Sequence, residues 1–207
     1  MDIIKKYFSE ISLEQETQFA RLYELYKDWN SKINLISRKD IDNLYEKHIL
    51  HSLGIAKVIQ FKDNTSIIDV GTGGGFPGIP LAILFPNVQF LLLDSIGKKV
   101  KVAEDIAFQI GLKNVECRHA RVEDEKREFD FVVSRAVMPL SDLVKIAKKN
   151  IIVKQQKNAL PNGFICLKGG NLQTELRPFK NKAVEYKLSD YFEEEFFDTK
   201  KVVYLPM

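Results

Sequence analysis

Cysteine is scarce in this 207-residue sequence: Cys117 and Cys166 stand alone, beside three histidines. Two cysteines in so long a chain make no disulfide framework, and with these histidines they form no zinc-ligand spacing, so no metal is expected. Glycine is absent before Gly54, which suits helices rather than hairpins. Long apolar runs are missing too. The opening Met1-Asp-Ile-Ile-Lys-Lys-Tyr-Phe-Ser-Glu10 has no apolar core of a secretion signal. The richest apolar stretch, Ile67 to Phe85, is interrupted by Asp69, glycines and two prolines, which excludes a bilayer-spanning helix there. Unpaired cysteines and no leader point to the cytoplasm. Strong charge of one sign is also absent: the net charge is +3, too small an excess to identify a nucleic-acid partner by itself. What is present suffices for a full core, with 45% hydrophobic and 11% aromatic residues, and the length suits one domain with a modest extension.

Residues 1–60 read as a helical N-terminal extension and residues 61–207 as a second, α/β unit, the two forming one compact body. Between Glu14 and Trp29, the residues Phe19, Leu22, Tyr23, Leu25, Tyr26 and Trp29 leave one apolar stripe at helical spacing. Ser12 with Gln15 fits a capping box in front of it. A polar stretch from Asn30 to Asp40 precedes a second helical pattern, Ile41 to Ile59. From Ser66 onward strands and helices alternate. Strands are expected at 66–70, 88–93, 115–118, 129–134 and 163–168, with helices at 77–85, 98–110 and 140–153. That alternation predicts a doubly wound, mostly parallel sheet of Rossmann-like type. Ala183–Leu188 and Lys201–Leu205 read as a terminal antiparallel pair, and Glu193-Glu-Glu195 as a solvated loop.

The most informative segment is Asp69-Val-Gly-Thr-Gly-Gly-Gly-Phe-Pro-Gly78, between a strand and a helix, where glycines let the backbone turn sharply and approach a ligand. Gly73-x-Gly75-x-x-Gly78 resembles a dinucleotide fingerprint, but its register lies too far beyond the strand. Asp69-x-Gly71-x-Gly73-x-Gly75 instead resembles the first motif of Rossmann-like S-adenosylmethionine methyltransferases, in which the acid helps orient the amino-acid end of the cofactor. Asp94 closes the next strand, where an acid accepts hydrogen bonds from ribose hydroxyls; NAD enzymes use the same device. Helix capping through Ser95 is the plain structural alternative. After the third strand, Val122 and Glu123 sit where such methyltransferases bracket adenine. Arg135, in Ser134-Arg-Ala-Val-Met138, falls at the end of strand four, facing the reacting methyl group in that fold. A salt bridge to Asp69 or Asp130 is its alternative role.

The strand-four segment lacks the Asn/Asp-Pro-Pro-aromatic cluster that meets exocyclic amines. Both cysteines fall inside predicted strands rather than at a nucleophile site. A nucleophile that needs no deprotonation fits better, such as guanine N7, for which catalysis is alignment. The basic residues Arg38-Lys39, Lys47 with His48, Lys98-Lys99 with Lys101, Arg135, Lys168 and Lys200-Lys201 are candidates for a phosphate-contacting rim. A target base must be unstacked to reach the methyl group, which favours a loop or bulge.

The segments Trp29-Asn-x-x-x-Asn-Leu35, His48-Ile-Leu-x-Ser-Leu53, Asp69-Val-Gly-Thr-Gly-x-Gly-Phe-Pro-Gly-Ile-Pro80, Leu93-Asp-Ser-x-x-Lys-Lys99, Arg121-Val-Glu123, Phe129-Asp-x-Val-x-Ser-Arg-Ala136 and Leu167-Lys-Gly169 together resemble the ribosomal RNA small subunit methyltransferase G family. The resemblance implies S-adenosylmethionine-dependent methylation of N7 of a guanosine in 16S ribosomal RNA. It implies cofactor contacts at Gly71, Phe76, Asp94, Ser95, Ile96, Val122, Glu123 and Arg135, and places Asn34 and Lys168 near the cofactor mouth and RNA surface. The expected partner is 16S RNA or the 30S subunit, with the chain a monomer. The chain departs from the family pattern in two places: at His51, where Asp is common, and at Lys200-Lys201, where Arg-His is common. At position 51 a helix-surface role tolerates histidine and a catalytic one would not. Three alternatives stay open: a small-molecule methyltransferase with the same cleft, an NAD-dependent oxidoreductase, and a non-catalytic RNA-binding assembly factor.

Overall fold

The computed structural model describes residues 1–33, 35–37 and 40–207. The N-terminal region is helical: α1 spans Asp2–Tyr7 and α2 spans Leu13–Lys32. The expected capping box is formed, with Gln15 N–H donating to Ser12 Oγ and Ser12 N–H to Gln15 Oε1. A 3-10 turn, Ile41–Asn43, and a π-helical segment, Leu44–Leu50, lead into α3, His51–Val58. The α/β region follows as β1 (Ser66–Val70), α4 (Gly78–Leu84), β2 (Gln89–Asp94), α5 (Gly97–Gln109), β3 (Val115–His119), β4 (Phe131–Arg135), α6 (Leu140–Ala147) and β5 (Gly163–Gly169). A short α7 (Gln173–Leu176) and two strands, β6 (Val184–Lys187) and β7 (Lys200–Pro206), complete it.

One seven-stranded sheet runs in the order β3-β2-β1-β4-β5-β7-β6. β1 to β5 are parallel; β7 joins β5 antiparallel and carries β6 at the edge. The terminal antiparallel pair is therefore not a separate hairpin but the sheet's last two strands. The winding direction reverses between β1 and β4, and ligands in open α/β sheets bind in the crevice at such a switch point.

Burial alternates along the strands with the pleat. Ile67, Phe90, Leu92, Phe131, Val133 and Ile165 face a core shared with α1 to α5. Ile68, Leu91, Leu93, Val132, Phe164 and Cys166 face the core under α6 and α7. The N-terminal helices thus cover the same sheet face as α4 and α5. Gln15 Nε2 donates to the carbonyls of Ile83 and Leu84, and Trp29 Nε1 to Asp105 Oδ2 at 2.7 Å.

The helix expected over 140–153 stops at Ala147 and passes into a 3-10 turn, Lys148–Asn150. Tertiary hydrogen bonds outcompete helical ones there. Asn150 Nδ2 donates to the carbonyls of Glu125 and Arg127, and Ile152 N–H to Phe129. The acidic run is likewise more than a solvated loop. Glu194 accepts hydrogen bonds from Tyr7 Oη and Lys6 Nζ, and Glu193 pairs with Lys6 at 2.8 Å, which ties the C-terminal region to α1.

Candidate active site

A cleft of about 500 Å³ opens at the carboxyl ends of β1, β2 and β4. Its floor is the glycine loop from Val70 to Gly74, where Gly71 and Gly73 take φ values of +70° and +58°. These left-handed conformations favour glycine. Asp94 fixes the loop from β2: its Oδ2 accepts Gly73 N–H and its Oδ1 accepts Ile96 N–H, both at 2.8 Å. One carboxylate therefore holds the glycine loop and the entry to α5 together. The plain alternative, a cap on α5, does not form: Ile96 is the N-cap of that helix and no side chain bonds its first-turn amides, while Asp94 closes the turn that precedes it.

Asp69 stands behind this loop rather than in the cleft wall. Its Oδ2 accepts Thr72 Oγ1–H at 2.7 Å and Gly78 N–H at 2.8 Å, at the start of α4, and Oδ1 is buried without a partner. Burial pushes the carboxyl up to about 7, against the opposing pull of Thr72, Gly78 and Arg135. Asp69, expected to orient the cofactor's amino-acid end, shapes the loop from beneath. Gly75 also lies outside the wall: its backbone, at φ +105°, passes close to Ile79 and Tyr26.

Across the cleft, Arg135 ends β4. It makes no ion pair among the described residues, so the salt bridge to Asp69 or Asp130 does not form; Asp130 instead pairs with Lys157 at 3.1 Å. The guanidinium lies over the Phe76 ring, 4.7 Å from its centroid, and reaches Lys47 O at 3.5 Å. Half-buried, it is pushed down to about 10 by desolvation, which nearby Asp69 opposes.

Of the sequence-derived candidates, Gly71, Gly73, Phe76, Asp94, Ser95, Ile96, Val122, Glu123 and Arg135 share the wall of this one cleft. Lys99 joins them, with Lys98 exposed beside it. Asn34, Arg38 and Lys39 lie outside the described residues. Of the expected RNA-facing lysines at the C-terminal side, two are engaged in ion pairs and one lies against an aromatic ring. Lys168 is mostly buried and pairs with Glu175 at 2.7 Å; Lys201 pairs with Glu185 at 2.6 Å. Lys200 lies over the Phe196 ring, 4.7 Å from its centroid. His51 lies on no exposed helix surface: it is 7% exposed and meets the edges of Phe196 and Phe197. The C-terminal segment covers that face of α3, which no local pattern announces.

His48, grouped with the rim residues by its sequence neighbourhood, is a cleft residue. It lines the wall with its ring 5.4 Å from Phe76, and burial followed by the Arg135 charge pushes it down to about 4. It is therefore neutral at physiological pH. Leu35, Ile36, Thr72, Val137 and Met138 also line the cleft. The Asn34-Leu35 segment, which the resemblance places near the cofactor mouth, contributes Leu35 to the wall, whereas the His48-Ile-Leu segment carries no such assignment.

A switch-point cleft floored by a glycine loop, with an acid at the end of β2 and an antiparallel β7 beside β5, is the arrangement of the Rossmann-like class I methyltransferase fold. Structures of 14% and 18% sequence identity share this fold. One is a T. thermophilus 16S rRNA methyltransferase in complex with AdoMet and guanosine, with a TM-score of 0.57 over 78% of this chain and 43% of that one. The other is an Aquifex aeolicus SAM-dependent methyltransferase, with a TM-score of 0.53 over 82% of this chain and 98% of that one. The family profile of rRNA small subunit methyltransferase G matches residues 15–202, and the chain belongs to that family. Ribosomal RNA small subunit methyltransferase G of Bacteroides thetaiotaomicron is 70% identical, covering 99% of this chain and 98% of its own. The protein of that description from Flavobacterium johnsoniae is 56% identical, covering 100% and 98%. Among the described residues, no helix is long and apolar enough to cross a membrane.

Proposed function

We propose that this chain transfers a methyl group from S-adenosylmethionine to N7 of a guanosine in 16S ribosomal RNA of the small subunit. The observation that carries the reading is the single cleft that brings the Asp94-held glycine loop opposite Arg135. The residues present fit the cofactor. A Cβ on Gly73 would meet nothing within 4 Å, so the loop leaves open cleft space there. Ile96, Ala120 and Val122 form an apolar part of the wall beside Asp94, suited to a purine ring with its ribose near the carboxylate.

S-adenosylmethionine supplies an electrophilic methyl group on a sulfonium. The chain's own residues have orientation to provide. Gly71 to Gly74 with Asp94 would hold the cofactor, and Val122 and Glu123 would bracket its base. Arg135 fixes the entering nucleotide from the β4 side. Guanine N7 would take the methyl carbon with its in-plane lone pair as the carbon–sulfur bond breaks, the thioether leaving neutral and the charge passing to the base, so no proton need leave it. His48, neutral beside the cleft, and Arg135, a cation, suit alignment rather than general-base work. Lys98 and Lys99 form the part of the rim free to meet phosphate. The N-terminal extension adds Leu35, Ile36 and His48 to the wall, so the cleft is built by both parts of the chain. The same proposal has the chain acting as a monomer in the cytoplasm without a metal, for which transfer insensitive to EDTA is the expected result.

The test is transfer of tritiated methyl from S-adenosylmethionine to unmodified 30S subunits, followed by nucleoside analysis. Label in 7-methylguanosine is expected. Label in another nucleoside moves the target atom. Cofactor binding without label moves the reading to a small-molecule acceptor or to an assembly factor.

A further inference from the structure

The segment between β4 and α6 forms one lip of the cleft, through Ala136, Val137 and Met138. It rests directly on the glycine loop. The Val137 methyls stand 2.5 and 2.9 Å from where a Cβ on Gly71 would sit. Ala136 takes a left-handed φ of +52°, which an L residue adopts at a cost and keeps when its surroundings impose it.

The far end of this lip is held from two other elements. Lys168, on β5, donates from Nζ to Met138 O at 2.6 Å and pairs with Glu175 Oε1 at 2.7 Å. That same Oε1, on α7, accepts Leu140 N–H at 2.8 Å, where α6 begins. The side chains of Lys168 and Glu175 are only 11% and 23% exposed. One ion pair thus grips the lip at a carbonyl and at an amide two residues later. Charge-assisted hydrogen bonds with little solvent competition suit such a clamp.

We propose that Lys168 and Glu175 are positioning residues that act together, holding the 136–140 segment against Gly71 so that Arg135 and the cofactor loop keep their alignment. This rests on the methyltransferase reading above. It assigns Lys168 to the enzyme's own scaffold instead of to RNA phosphate.

The experiment compares wild type, Lys168→Met, Glu175→Ala and the double variant. It reads kcat and KM for methyl transfer to 30S subunits, RNA affinity against salt, and hydrogen exchange of the 136–140 amides. Each single variant is expected to lower kcat by about 10- to 100-fold, the scale of a misalignment near 1 Å. The lip should exchange faster, while RNA affinity and its salt slope stay unchanged. The double variant should lose no more than either single one, because the two residues make one unit. If Glu175→Ala fails to fold, Glu175→Gln carries the same test. It keeps an acceptor for Leu140 N–H and removes the charge facing Lys168.

Wild-type kcat in Lys168→Met or in the glutamate variant overturns the proposal. So does weaker RNA binding with a salt slope about one unit shallower in Lys168→Met alone, the mark of a phosphate contact. Absence of methyl transfer by the wild type would instead count against the methyltransferase reading.

Discussion

The guanidinium of Arg135 lies over the ring of Phe76, 4.7 Å from its centroid, and the same ring stacks on Tyr26 at 4.7 Å. The end of β4 is thereby joined through the glycine loop to α2. Because an aromatic face and a carbonyl hold Arg135, and no carboxylate pairs with it among the described residues, its remaining N–H groups can serve the cleft. Arg135→Ala is expected to lower methyl transfer by about 100-fold with little change in melting temperature. Arg135→Lys should recover a small part, because an ammonium keeps the charge without the flat, stacked fork. Normal turnover of the alanine variant would remove Arg135 from the machinery.

Asp94→Ala deprives two backbone N–H groups, those of Gly73 and Ile96, of their acceptor. Leaving such groups unpaired costs about 1–3 kcal/mol each when buried. S-adenosylmethionine should bind about 10- to 100-fold more weakly by calorimetry, with Asp94→Asn falling between because it keeps one acceptor oxygen. An unchanged dissociation constant in the alanine variant would show that the loop does not need this carboxylate.

Two glycines separate binding from stability. At Gly73 a methyl group projects into open cleft space, so Gly73→Ala should weaken cofactor binding while costing about 1 kcal/mol of stability for its left-handed backbone. At Gly163 the added Cβ would stand 2.2 Å from Leu205 O, inside the β5–β7 ladder. Gly163→Ala should therefore lower the melting temperature by several degrees. Chemical denaturation beside cofactor titration checks both; the reverse pattern would contradict the placement of these two glycines.

His51 makes stability pH-dependent. Burial, then the charges of Arg135 and Lys200 and nearby His48, push its imidazole down to about 3. The unfolded chain takes up a proton near the ordinary value of about 6.5, and the folded chain resists it, so stability is lost as pH falls below 6.5. The slope from one such group is at most about 1.4 kcal/mol per pH unit. His48 acts in the same direction. Between pH 7 and 4.5, His51→Leu should gain about 2–3 kcal/mol on the wild type in urea unfolding. A constant gap across that range would mean that folded His51 takes up its proton freely.

Much of the site is legible in the sequence. The glycine loop, the acid ending β2 and the arginine ending β4 are separated by whole strands. Yet each is recognisable because strand-end chemistry lies within a few residues. The Ser12–Gln15 cap is readable for the same reason. Lys168 reads as a phosphate contact in the sequence because its ion-pair partner is not local. Glu175, seven positions on, becomes that partner when α7 folds back over β5. His51 misleads because the rings that bury it belong to residues 196 and 197.

By itself the sequence determined the kinds of element, their alternation and the positions where backbone must approach a ligand. Periodicity, glycine torsional freedom and capping chemistry all act over a handful of residues. Tertiary structure alone decided which charges remain free and which acids serve the loop from behind. It also decided which helix face is covered. Those outcomes depend on desolvation and pairing between segments far apart in the chain, where Glu194 meets Tyr7 and Phe197 meets His51.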